Sequence, residues 1–242
     1  MEPPSSAQSD GEHHTLTRTG AFEGPAACGA CHEFAFPEGI PRKDPLLMQS
    51  TMKEHAASAH ANRSCASCHM PMVAGEKSGP HRSHAFSASR DEAFVRAAIL
   101  VDERPFVNNT LTLNLRPGAA GHAFPTGDML RRLALVIDVL DKDGKSIEHE
   151  EQFFARHFGF TREASKPPRK VLLKDNRVGA STNPPVFSYT AKNRPEGGHL
   201  HYTLRYERVA DPTGGVDGRA IVEGSVLLAE STLPFPASSP GH

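Results

Sequence analysis

No stretch of this sequence stays apolar for long. The longest such run, Leu133 to Val139, is interrupted by Asp138 and falls far short of the roughly 20 residues a membrane-spanning helix needs. Nor does charge of one sign prevail. Lysine and arginine total 27 against 28 for aspartate and glutamate, which removes the electrostatic case for binding nucleic acid or an anionic membrane surface. Cysteine is scarce: there are four, in two pairs, and none is left for a separate disulfide framework. G-x-S-x-G, the P-loop, H-E-x-x-H and the dinucleotide glycine fingerprint are all missing, so those enzyme chemistries have no sequence support. What remains is an ordinary globular balance, 38% hydrophobic and 23% charged, in a chain long enough for one large domain or two small ones.

Texture divides the chain. Residues 1–24 are polar and rich in Pro, Ser, Gly and Thr, and read as a flexible leader. Residues 25–105 hold both cysteine pairs among Gly/Pro-rich loops. Met48 to His60 is free of Gly and Pro and favours helix. Ser89-Arg-Asp-Glu92 is a capping-box pattern opening a helical face of Phe94, Ala97, Ala98 and Val101, with Pro105 beyond its end. Residues 106–232 alternate in strand fashion. Val107, Asn109, Leu111, Leu113 and Leu115 form one face of a first strand, Arg132 to Leu140 a central one, and Asp141-Lys-Asp-Gly144 a hairpin turn. Further strands fit 146–154, 171–173, 186–190, 200–209 and 220–229. A tail at 233–242 closes the chain. The expected fold is α+β: a small helical, loop-rich domain followed by an antiparallel, immunoglobulin-like β-sandwich.

The chemistry sits in Cys28-Gly-Ala-Cys31-His32 and Cys65-Ala-Ser-Cys68-His69. A two-residue spacer lets both thiols add to the two vinyl groups on one haem edge, and the histidine that follows supplies the proximal imidazole to iron. A lone C-x-x-C would favour zinc, a thiol–disulfide site or a disulfide. Here the histidine follows directly, twice. The expectation is two covalently bound haem c groups, attached at Cys28, Cys31, Cys65 and Cys68 and ligated by His32 and His69.

The sixth ligand decides what such an iron does. Two protein ligands make an electron carrier, whereas an open position binds or activates small molecules. His84, in His81-Arg-Ser-His84-Ala-Phe86, is the favoured distal ligand, against the alternative of a loop histidine bonded to backbone. His122, in Gly121-His122-Ala-Phe-Pro-Thr-Gly127, echoes that pattern, against the alternative of a structured turn. His60 ends the candidate helix and can reach the first haem, or merely sit where a helix C-terminus favours it. His55 reads as a surface residue. Met48 and Met52 are alternatives better explained by packing, and Met70 and Met72 follow His69 too closely to cross its haem. Arg131 and Arg132 are candidates for pairing with haem propionates. His149-Glu-Glu151 and His199-Leu-His201 are metal-capable pairs that fit a solvated strand face better.

Taken together, Cys28-x-x-Cys31-His32, Met48-Gln-Ser-Thr, Cys65-x-x-Cys68-His69-Met-Pro71 and His84-x-Phe86 resemble the bacterial multihaem c-type cytochromes. The later Gly-His-Ala-Phe-Pro-Thr-Gly with Arg131-Arg132 resembles the β-domain appended to many of them. The resemblance implies a bis-His pattern with His84, and His122 or His60, as distal ligands. Having only two haem sites sets the chain apart from the larger members. It also implies maturation outside the cytoplasm, hence a periplasmic or cell-surface location, although the first residues lack the basic and apolar regions of an export signal.

Electron transfer is therefore the leading expectation. Its partners would be redox proteins, other cytochromes or a membrane-associated electron-transfer complex, with no nucleic acid and no membrane span. A haem enzyme of peroxidase or nitrogen-compound oxidoreductase type requires one five-coordinate iron. A self-associating subunit of an extracellular multihaem assembly is the third class.

Overall fold

A computed structural model describes residues 24–36, 43, 45–75, 79–86, 88–127, 130–161, 168–181, 185–211 and 220–235. The expected leader and tail therefore lie outside the described residues, except for Gly24 and positions 233–235. His13, His14 and His242 lie outside them too.

The first third of the chain contains α1 (Ala26–His32), β1 (Glu33–Ala35), β2 (Leu47–Ser50), α2 (Thr51–Ala56), α3 (Cys65–His69), β3 (Met72–Val73) and β4 (His81–Arg82). Next come α4 (Glu92–Ala97), β5 (Ile99–Glu103), β6 (Thr110–Pro117), β7 (Arg131–Leu140), β8 (Ser146–Phe154) and β9 (Arg156–Phe160). The last are β10 (Lys170–Asp175), β11 (Val186–Thr190), β12 (His199–Asp211) and β13 (Ile221–Pro234). Among the described residues, strands take 49% and helices 13%.

This overturns the α+β expectation. The chain is mostly β, and neither a helical haem domain followed by a sandwich nor an immunoglobulin-like arrangement is evident. The reason lies in strand pairing and in early helix termination. Met48 to Ser50, expected to be helical, pairs antiparallel with Glu33 to Ala35, so α2 begins only at Thr51. After Ala56 the chain turns away, with the Ser58 hydroxyl donating to the His55 carbonyl. The helix opened by Asp91 stops at Ala98, and Ile99 to Glu103 pairs along β6. Isoleucine and valine there lose little by extending and gain a partner strand.

The strands form small antiparallel sheets in the orders β13-β12-β7-β8, β11-β6-β5, β9-β10, β1-β2 and β3-β4. Alternation decides which residues face inward. Leu111, Leu113 and Leu115 of β6 are fully buried, as are Leu133 and Leu135 of β7 and Leu200 and Leu204 of β12. They share one apolar cluster with Ile137, Phe154, Tyr202, Tyr206 and Val226, and removal of that surface from water is the main stabilising term. Outward positions of β7 and β12 carry polar residues in register, such as Asp138 opposite His201 and Arg132 opposite Glu207. No described helix is long and apolar enough to cross a membrane.

Candidate metal centre

Each cysteine motif folds as a single short helix. In α1 and α3 the spacing i, i+3, i+4 gathers Cys28, Cys31 and His32, and likewise Cys65, Cys68 and His69, on one side of a helical turn. Ser64 caps α3, its hydroxyl accepting from the Ser67 amide at 3.2 Å. Arg82 of β4 donates to the Ala66 and Met70 carbonyls, each at 3.1 Å, and so ties down the end that bears His69. All four cysteines are free thiols. The helices bring the motifs together: burial, together with the neighbouring Cys28, pushes the Cys65 thiol up. Among the described residues, no three His, Cys, Asp or Glu side chains converge as ligands for a bare ion.

The loop between β6 and β7 reaches this region. The His122 ring lies 6.2 Å from that of His69, with the two planes within 10° of parallel. Two iron–nitrogen bonds of roughly 2.0 Å, each with roughly 1.1 Å from nitrogen to ring centre, would put two imidazole centres about 6.2 Å apart. The observed spacing fits. His122 Nδ1 lies 3.0 Å from the Ala123 carbonyl oxygen, which can only accept, so Nδ1 carries the proton and Nε2 keeps its lone pair. Burial lowers the His122 pKa below the ordinary histidine value, and the ring is neutral, as a metal ligand must be. Phe94 of α4 packs at 5.1 Å on His69. The residues present thus fit covalently attached haem at the second motif.

His60 and His55 come to the same loop. A Cβ added at Gly121 would lie 3.2 Å from His60 Cβ and 3.6 Å from His55 Cδ2, so a side chain there would press on His60. Near the first motif, Met52 packs on Gly29, its sulfur 3.7 Å from where a Cβ would stand. His32 is exposed. His84 stands on an exposed turn with its ring 6.4 Å from Phe86. Arg132 is occupied elsewhere: 3% exposed, it donates to Glu207 at 2.7 Å and lies over Phe153. His149 and His201 hydrogen-bond within the sheet, to Asp138 and Thr232, each at 3.0 Å.

The residues that hold the His122 loop escaped the sequence reading. The Glu54 carboxylate of α2 accepts from Ser50 at 2.6 Å, Thr126 at 2.7 Å and Arg177 at 2.8 Å. Burial alone would raise its pKa; the Arg177 guanidinium and the hydroxyl donors overcome that and hold it below the ordinary value. Arg177 also donates to the Pro125 carbonyl at 3.0 Å. Arg156 donates to the carbonyls of Met48 and Leu47 at 2.9 and 2.7 Å. Phe124 and Val178 exchange backbone bonds of 2.7 and 3.0 Å. The only local signal was the repeated turn chemistry of the loop; the partners are too far apart in sequence to be read as a unit.

No family model matches this sequence, and no curated protein matches it. Among solved structures the chain is similar to a penta-heme cytochrome c552 from Thermochromatium tepidum, with a TM-score of 0.60 at 20% identity. The match covers 89% of this chain and 57% of that one. The likeness is one of fold, and the chain spans little more than half the length of that cytochrome.

Proposed function

We propose that the chain is a dihaem c-type cytochrome that passes electrons between redox partners outside the cytoplasm. The observation that carries this is the facing pair His69 and His122. Haem c, when bound, supplies an iron that cycles between ferric and ferrous states. Cys28 and Cys31 would anchor the first group and Cys65 and Cys68 the second, with His32 and His69 as the imidazole donors of their motifs. His122, facing His69, would be the further ligand at the second centre. Its Nδ1–H, committed to Ala123, fixes the tautomer and leaves Nε2 for the metal. His60, beside the same loop, is assigned to the first centre. Were both centres closed by histidines of the chain, small molecules would be excluded and outer-sphere electron exchange would be the chemistry left. The contact of Cys28 with Cys65 supports a short path between the two centres. Redox proteins, including other cytochromes, are the partners this reading implies.

Mass and haem content test the reading. Intact mass should exceed the polypeptide by two haems, and replacing either cysteine pair by alanine should remove one. The ferric protein should be low-spin and indifferent to cyanide. A high-spin signal in the wild-type protein that shifts on adding cyanide would overturn the carrier reading in favour of an enzyme with an open site.

A further inference from the structure

We propose that Glu54 and Arg177 are positioning residues that hold His122 at ligand distance from the second metal centre, with Thr126 as the link between them and the loop. The inference rests on the reading of His122 as a ligand and adds to it the device that sets that ligand's place. Ala123, Phe124 and Pro125 anchor the loop on its apolar side, with the Phe124 ring 5.7 Å from that of Tyr206, and polar contacts fix the rest. One of these is the backbone pairing of Phe124 with Val178. The others pass through a single cluster. Arg177 is 5% exposed and spends its guanidinium on the Pro125 carbonyl, on Glu54 and on both oxygens of Asp175, at 2.8–3.0 Å. Glu54 takes Arg177 and Ser50 on one oxygen and Thr126 on the other. Thr51, at the start of α2, lies 3.3 Å from the same Thr126 hydroxyl.

A buried ion pair is weak evidence for stability, because desolvation offsets much of the attraction. What the cluster does is geometric. One carboxylate joins α2, the strand-end arginine and the loop at a point four residues past His122. If Thr126 loses its carboxylate acceptor, the direct tie of that end of the loop to α2 that remains among the described residues is the longer 3.3 Å contact with Thr51. The same helix presents His55 beside Gly121, so displacement of the loop would be felt directly at His122.

The test uses the haem-loaded chain with Thr126→Val, Glu54→Gln and the pair Arg177→Met and Arg177→Lys, alongside His122→Ala as reference. Thr126→Val keeps volume and removes only the hydroxyl, so it remains informative should the Arg177 variants misfold. The readouts are the ferric spin state and amide exchange across residues 121–127. Thr126→Val and Glu54→Gln should each produce part of the high-spin signal seen in His122→Ala. They should also speed exchange in the loop by about tenfold or more. Arg177→Lys should recover part of what Arg177→Met loses. If His122→Ala becomes high-spin while Thr126→Val and Glu54→Gln keep wild-type spin state and loop exchange, the positioning role is overturned and the ligand reading stands. If His122→Ala itself stays low-spin, the ligand reading falls and this inference falls with it.

Discussion

His149 and Asp138 face each other on the outer side of the four-stranded sheet, joined by a 3.0 Å bond from the ring to the carboxylate. That bond raises the histidine pKa above its ordinary 6.5. The folded state therefore holds the proton more tightly than the unfolded one. The contribution is fully present below pH 6.5 and is lost as the pH rises through the raised folded value. Because the His149 side chain is 54% exposed, solvent screening limits the effect to less than about 1 kcal/mol. Proton titration of His149 should show the raised pKa, and Asp138→Asn should return it towards the ordinary value. At the same scale the two C-x-x-C-H motifs were legible because each is a local pattern of five consecutive residues. His122 could be suspected from its loop but not chosen, since its partner His69 lies across the fold. Glu54 and Arg177 could not be found, because a pair separated by 123 positions leaves no local pattern.

Elements were legible where burial imposes a period. β6 and β8 read correctly as strands, and the inward leucines of β6 are fully buried as their alternation requires. The errors fell where a short segment favours helix locally but finds a strand partner. Residues 48–50 went to β2 and residues 99–103 to β5, each drawn by backbone pairing that no local propensity reports. The strand β9 was missed for the same reason: it pairs with β10 across a connection whose sequence gives no hairpin signal. The capping box expected at Ser89 and Glu92 is displaced by two residues: α4 is capped by Asp91, which accepts from the Phe94 amide at 3.0 Å. Since α4 carries Phe94 to His69, loss of this cap should be felt beyond the helix. Asp91→Ala is expected to cost about 0.5–2 kcal/mol in denaturant unfolding, with a change in the slope of the transition no larger than experimental scatter.

At the scale of the whole molecule, the short helices α1, α2 and α3 are arrayed against a β body whose loop and two buried arginines reach back to them. Such a small helical fraction has little core of its own, so the placement of the cysteine motifs depends on polar bonds from the β strands: Arg156 to β2, and Arg177 to α2 and the His122 loop. That dependence explains why a division into an independent helical unit and a sandwich, reasonable from composition, does not describe the fold. It also locates the central claim at one ring pair. Low-temperature electron paramagnetic resonance of the ferric protein, compared with His122→Ala and His84→Ala, tests it most directly. The account predicts low-spin signals in the wild-type and His84→Ala proteins, and conversion of one of two centres to high spin in His122→Ala. A His122→Ala protein that stays wholly low-spin, or a high-spin centre appearing in His84→Ala instead, would contradict it.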